Sequence, residues 1–275
     1  MQLRDLKEAP ATAWFGMIVV ALYIAVACLA PVLAPYGETE IVGASFSPWG
    51  SDFWFGTDNL GRDIFSRLIY GARNTVGIAL VTTALAFLLG GVMGLIAATV
   101  GGVIEQMFSR VVDLLMSIPA LLFALLLLTI FGAGAISMIL IIAVLDSTRV
   151  YRLTRAVAMN VVAMEYVEAA HMRGEGLTWL VHREILPAIK APLIAEFGLR
   201  FCFVFLTISA LSFLGLGIQP PTADWGSMVR EYAPMITFGE LTPLLPAGVI
   251  ALLTVSVNLI VDWFLHKTSG LRDEK

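Results

Sequence analysis

The chain has 275 residues, of which 59% are hydrophobic and 14% charged, with a formal net charge of −4 and a mean hydropathy of +0.87. Water-soluble domains carry about 25% charged and about 45–50% apolar residues, so this composition excludes an ordinary soluble domain. The small net charge, with no long run of one sign, excludes a nucleic-acid-binding tail.

A membrane-spanning helix needs about 20 mostly apolar residues. In chain order that length predicts spans near 14–34, 75–100, 114–132, 135–152, 190–216 and 242–264. The first run, from Trp14, exceeds the ~7–15-residue core of a cleaved leader and reads as a permanent helix. Strict period-2 alternation is absent, which argues against a β-barrel. Backbone groups in hydrocarbon need internal partners, so the runs are expected as helices. In the second span, Gly90-Gly91-Val92-Met93-Gly94 offers small residues for close approach by a helix of a neighbouring subunit. Pro119 and Pro192 predict kinks, and Phe131-Gly132-Ala133-Gly134 marks the turn between the third and fourth spans. Cys28 and Cys202 lie in apolar runs and read as small hydrophobes. Asp146 with Arg149, and Glu196 with Arg200, have helical spacing and are expected as pairs facing the bundle or a solute.

Basic residues set the orientation. With the N-terminus inside, the inner segments hold Arg4, Lys7, Arg110, Arg149, Arg152, Arg155, Arg173, Arg183, Lys190, Lys267, Arg272 and Lys275. The outer segments hold Arg62, Arg67, Arg73 and Arg230. The expected organisation is an inner segment 1–13, one membrane domain 14–264 and an inner tail 265–275. Three longer segments interrupt the domain: 36–73 outside, 153–189 inside and 217–241 outside. Within the first, Ile64, Phe65, Leu68 and Ile69 form one stripe opposite Arg62, Asp63, Ser66, Tyr70 and Arg73. That pattern predicts an amphipathic helix lying in the interface plane, with an Asp63–Arg67 pair on its surface. It would brace the second span, touch solute, or receive an external protein together with Pro220, Pro221 and Trp225.

The inner segment runs Glu165-Tyr166-Val167-Glu168-Ala169-Ala170-His171-Met172-Arg173-Gly174. It reads as a short helix whose alanines admit another surface closely and whose Gly174 ends it in the left-handed conformation. Leu177, Leu180 and Val181 give a second short apolar face, and Pro187 predicts a break before the fifth span. Glu168-Ala169-Ala170, three residues, Gly174, ten residues, then Ile185-Leu186-Pro187 resembles the EAA signature of ABC-importer permeases. The generic signature has its isoleucine one position earlier, at Glu184 here; the Ile-Leu-Pro form is similar to the peptide-permease branch. Gly56-Thr57-Asp58-Asn59-Leu60-Gly61-Arg62-Asp63, continuing through Arg67, resembles the second permease subunit of dipeptide, oligopeptide and nickel importers. So does Gly215-Leu216-Gly217-Ile218-Gln219-Pro220-Pro221 with Asp224-Trp225-Gly226. After Asn258 the chain departs from that pattern, and of Val261-Asp262-Trp263-Phe264-Leu265 only Asp262 matches.

The resemblance implies an all-α integral membrane protein with the type I ABC-importer permease fold and both termini in the cytoplasm. It implies a coupling loop built from Glu168, Ala169, Ala170, His171, Met172, Arg173, Gly174, Ile185, Leu186 and Pro187. The implied partners are a homologous second permease, two ATPase subunits and an external substrate-binding protein, in a bacterial or archaeal cytoplasmic membrane. No G-x-x-x-x-G-K-[ST] phosphate loop occurs, so ATP and Mg are expected on separate ATPase chains and no cofactor on this one. His171, His182 and His266 lack metal-ligand spacing. The implied cargo class covers dipeptides, longer peptides, nickel complexes, opines and sugar derivatives. The alternative is an ion-gradient-driven secondary transporter, which would need an inverted repeat with broken helices; none is visible. An intramembrane hydrolase would need a catalytic pair, and Ser209, Ser212 and Ser256 have no histidine within the spans.

Overall fold

A computed structural model describes residues 9–268. Arg4, Lys7, Arg272 and Lys275, assigned above to the inner side, lie outside the described residues. Long apolar runs have no polar side chains to compete with the backbone, and they become helices. These are α1 (Ala11–Leu33), α2 (Ile64–Gly71), α3 (Gly77–Val100), α4 (Gly102–Met116), α5 (Ala120–Phe131) and α6 (Ala135–Val162). There follow α7 (Glu165–Met172), α8 (Leu177–Leu180), α9 (Leu186–Phe213), α10 (Trp225–Tyr232) and α11 (Leu244–Thr268). Extended pairing among the described residues is confined to isolated bridges at Ile41–Arg62 and Thr57–Asp63.

Two π-helical turns join helices that the sequence reading kept apart. Ala72–Val76 fuses α2 to α3, and Val181–Ile185 fuses α8 to α9. Each fused rod, Ile64–Val100 and Leu177–Phe213, is 37 residues long. The expected break at Pro187 therefore does not form. Pro187 lies inside the fused rod, directly after the π-helical turn, whose altered hydrogen bonding accommodates a residue without an N–H. Pro119 has the opposite outcome: α4 and α5 meet at 86° across Ser117-Ile118-Pro119. Proline supplies no N–H and pushes its predecessor out of the helical region. The expected third span, 114–132, is thus split, and α5 alone covers about 18 Å at ~1.5 Å per residue.

Among the described residues, four helical stretches can cross a membrane by length and composition: Ala11–Leu33, Ile64–Val100, Leu177–Phe213 and Leu244–Lys267; counting the bent α4–α5 pair as one span makes five. The expected fourth span lies in α6, which is long enough at 28 residues but carries Asp146, Arg149, Arg152 and Arg155.

The helices define two ends. Segments 34–63 and 214–243 meet at one, the cap end, through Arg62 to Pro221 and Trp49 to Thr242. Segment 163–176 lies at the other, the knob end. The main core joins α1, α5, α6, α9 and α10 around Val19, Leu128, Ile142, Phe205, Ile208 and Trp225. The run Gly90 to Gly94 serves this packing inside the chain, which corrects the reading of a face for a neighbouring subunit. A Cβ on Gly90 would overlap Ser147 O and approach Val150 Cβ, and one on Gly94 would come within 2.8 Å of Thr154 Cβ. The backbone of α3 therefore lies directly on α6, as small residues in membrane helices permit. Gly91, between them, faces open space. Cys28 and Cys202 are free thiols, exposed and buried respectively.

Gly90→Leu is expected to lower the unfolding temperature in detergent, by overpacking worth about 1–3 kcal/mol. Gly91→Leu is expected to leave it unchanged. Thermal unfolding of the two variants side by side checks the helix face.

Candidate functional site

At the cap end the two motif segments form one unit. Asp58 is fully buried and accepts hydrogen bonds from the N–H groups of Leu60 (2.8 Å) and Arg62 (3.0 Å). Its other oxygen takes Arg62 Nε at 2.6 Å and faces Arg67 Nε at 3.4 Å. Both guanidinium groups also lie 3.6–3.8 Å from Glu231, and both donate to Pro221 O, at 3.4 Å from Arg62 and 3.3 Å from Arg67. Two arginines from the first segment thus hold the second by its backbone and by a carboxylate of α10. Thr57 bridges Ser47 N–H and Ala44 O. Gly56 accepts from Ile64 N–H, and Gly61 accepts from Val42 N–H.

Asp63 does not pair with Arg67 as expected. It caps α2, accepting from Ser66 N–H at 2.8 Å and Ser66 Oγ at 2.7 Å, the local bond that favours Asp at helix starts. Nor does α2 lie flat in an interface: Arg62, Asp63, Ser66 and Arg67 are buried with Ile64 and Ile69. Its polar face is covered by the second segment, which periodicity could not anticipate.

Trp225 completes the joint. It is buried, donates Nε1–H to Leu68 O at 3.0 Å, and meets the rings of Tyr23 and Phe205 edge-on. Gly71 makes room, since a Cβ there would fall 2.5 Å from the indole. Asp224 caps α10 through Ser227 N–H and accepts from Thr75 Oγ1. Burial pushes its carboxyl above the usual carboxylate range, and those hydrogen bonds pull it back. Burial likewise pushes the Tyr232 phenol upward, against the pull of the Arg67 guanidinium. Gly215 and Gly217 form the turn leaving α9, held by Gly215 N–H to Ser212 O. Pro220–Pro221 is a cis peptide. The reading missed Glu38, which accepts from Asn74 Nδ2 and Ala223 N–H, and Glu231. Their partners lie far away in the chain, and no local pattern marks them.

At the knob end, α7 closes with paired hydrogen bonds, Gly174 N–H to His171 O and Glu175 N–H to Ala170 O. Gly174 sits at φ +85, the left-handed position such helix ends require. Val167 and Ala170 are buried with Leu180 against Val161 and Trp179. Glu168, Ala169, His171, Met172 and Arg173 point outward, Met172 being 83% exposed. Ala170 therefore anchors the helix and is not open to another surface, whereas Ala169 is exposed. Of the second short face, Leu180 is buried while Leu177 is exposed. Ile185 is buried, Leu186 half-buried and Pro187 exposed, all in the rod that leads into α9. A half-open cleft of about 250 Å³ lies beside α7, with Glu168, His171 and Thr99 among its walls.

Between the ends, the two expected pairs are present and fuse. Arg149 lies 3.3 Å from Asp146, Arg200 lies 3.5 Å from the same oxygen, and Arg200 also binds Glu196. Nearer the knob, α4 is tied to α6 by Glu105–Arg155 at 2.5 Å, Asp113–Arg152 at 2.6 Å and Ser109–Tyr151 at 2.9 Å. Among the described residues no three His, Cys, Asp or Glu side chains converge as a metal site would require.

A protein-family profile described as "Binding-protein-dependent transport system inner membrane component" matches residues 90–269. The di/tripeptide transport system permease protein DppC of Pseudomonas aeruginosa is 34% identical over 265 residues, covering 94% of this chain and 85% of that protein. The dipeptide transport system permease protein DppC of Alkalihalophilus pseudofirmus is 35% identical over 262 residues, covering 94% and 83%. The oligopeptide transport system permease protein OppC of Bacillus subtilis is 31% identical over 263 residues, covering 95% and 84%. Among solved structures, an amino acid ABC transporter with histidines superposes with a TM-score of 0.56 at 17% identity, covering 74% of this chain and 94% of that one. That likeness is one of fold.

Asp58→Ala is expected to destabilise the protein by about 3–5 kcal/mol, because it strands two buried guanidinium groups. Asp52→Ala, at an exposed position of the same segment, is expected within about 0.5 kcal/mol of wild type. Denaturation midpoints of the purified protein distinguish the two.

Proposed function

The chain belongs to the family of binding-protein-dependent inner-membrane transport components, and from that premise we propose that it carries peptides or related small solutes inward as one of two permeases driven by separate ATPase subunits. The protein is a multi-pass transport subunit of the inner membrane. The permeases named among its relatives supply the peptide reading, and the family leaves the ion-gradient alternative without support.

In this reading the knob end is cytoplasmic and the cap end faces outward, towards an external binding protein. The observation that carries it is the outward face of α7. Glu168, Ala169 and Met172 are presented on a helix that Val167 and Ala170 fix from beneath and Gly174 terminates. A helix fixed on one side and open on the other is a rigid plug for a groove. Two such plugs, one per permease, would sit in a pair of ATPases that hold ATP and Mg. ATP closes the ATPase pair; a ligand shifts an equilibrium only by its differential affinity for two states, and here the closed pair is the state that ATP favours. The displacement enters through α7 and reaches the spans through α6 and the α8–α9 rod, on either side of it. No group in this chain hydrolyses ATP in this scheme.

The test is the double variant Glu168→Lys with Ala169→Trp, both exposed, reconstituted in liposomes with its partners. It is expected to insert normally and to lose binding-protein-stimulated ATP hydrolysis and uptake roughly tenfold or more, the loss that ~1.4 kcal/mol of docking energy carries. Uptake at the wild-type rate without any ATPase subunit would overturn the reading.

A further inference from the structure

Helix α6 runs into α7, and α9 runs out of α8, so these two helices receive any displacement of the knob first. They are antiparallel, share the main core towards the cap, and touch at two further heights below it. Near the knob the contact is apolar: Ala158 of α6 packs with Ile185 and Ile189. Higher up it is ionic. Arg200 Nη1 of α9 lies 3.5 Å from Asp146 Oδ1 of α6.

The two contacts differ in kind. Apolar surfaces attract without direction, so this contact specifies no atom-to-atom partner. Asp146 and Arg200 do specify one another. They are 7% and 8% exposed. Eleven residues separate Asp146 from Ala135, where α6 starts, and thirteen separate Arg200 from Phe213, where α9 ends. At ~1.5 Å per residue both lie about 16–20 Å from the cap end of the bundle, well inside a hydrocarbon core about 30 Å thick. Separating them there would break the ion pair that joins the two helices and leave each group only the partner on its own helix.

Each partner is also pre-positioned on its own helix. Arg200 is held by Glu196 one turn away, through Nε at 3.0 Å and through Nη2. Its guanidinium lies over the Phe203 ring, 5.3 Å from the centroid. Asp146 is held by Arg149 at 3.3 Å. Two carboxylates and two guanidinium groups balance, so the cluster holds no net charge and needs no ion from outside.

We infer that the Asp146–Arg200 pair is a crosspiece that makes α6 and α9 move as one body, so that a displacement of α7 reaches both spans together. The inference rests on the importer reading above. Asp146 and Arg200 act here as positioning residues, by fixing the register of two helices.

The experiment uses the complete transporter in liposomes, with Cys28 and Cys202 replaced by serine. Single cysteine reporters go at Leu140 on α6 or at Leu206 on α9, both exposed. Maleimide labelling is read before and after trapping with ATP and vanadate. In wild type both reporters are expected to respond. With Asp146→Asn and Arg200→Gln together, which leave Glu196 and the half-exposed Arg149 as one carboxylate and one cation with no net charge, the two are expected to part company: Leu140→Cys still responds and the response at Leu206→Cys falls fivefold or more. Arg200→Lys keeps the cation but loses the fork shared between Asp146 and Glu196, and is expected to fall between. Wild-type responses at both reporters in the double variant overturn the crosspiece. If the double variant fails to co-purify with the ATPases, Arg200→Lys alone decides, and a full response at Leu206→Cys overturns it. If neither reporter responds even in wild type, the importer reading itself fails.

Discussion

A charge taken out of water has to be answered by another charge, and that constraint organises this molecule. Its apolar runs would pack in many registers, because hydrocarbon-facing helices gain little from one contact over another. The ionic contacts remove that freedom at three heights. Asp58 with Arg62, Arg67 and Glu231 fixes the cap. Asp146, Arg149, Glu196 and Arg200 fix α6 against α9. Glu105 with Arg155 fixes α4 against α6 nearer the knob, where the exposed Asp113–Arg152 pair adds little. Each set draws from more than one helix, and together they give a bundle of slippery surfaces a definite register.

Much of this was legible in the chain itself, where the governing physics is local. Apolar length located α1, α3 and α11, and Pro119 located a bend. Gly174 marked a helix end because only one backbone conformation lets a helix close that way. The helical spacings of Asp146 with Arg149 and Glu196 with Arg200 marked real pairs. What could not be read depended on contacts between distant segments. The stripe of α2 looked like a membrane-surface helix because its polar face, read alone, had no cover. The cover comes from Pro221, Trp225 and Glu231, some 150 residues later. The spacing of Gly90 and Gly94 announced a close approach but not its partner, which proved to be α6 of the same chain. Pro187 looked like a break because a π-helical turn that accommodates it has no sequence mark of its own.

The two motif regions therefore do different work. The cap motifs are inward-facing: nearly every charged group in them is spent on the joint between two loops, which makes that end of the bundle one rigid piece. The knob motif is outward-facing: its buried Val167 and Ala170 anchor α7, and Glu168, His171, Met172 and Arg173 are exposed. A rigid cap, a fixed knob and helices tied in pairs between them suit a subunit that moves as blocks. Transport by such a subunit needs the passage to open at one end as it closes at the other, which block motion supplies and local flexing does not.

The central claim is that α7 is the surface on which an ATPase subunit sits, and proximity tests it most directly. In the cysteine-free background, Met172→Cys would be joined to the ATPase subunit by a short bifunctional maleimide in native membranes. Trp54→Cys at the cap would serve as the control. The account predicts a permease–ATPase product from Met172→Cys that changes in yield when ATP is added, and none from Trp54→Cys. A product from the cap position, or none from α7 in a complex that still transports, would contradict it.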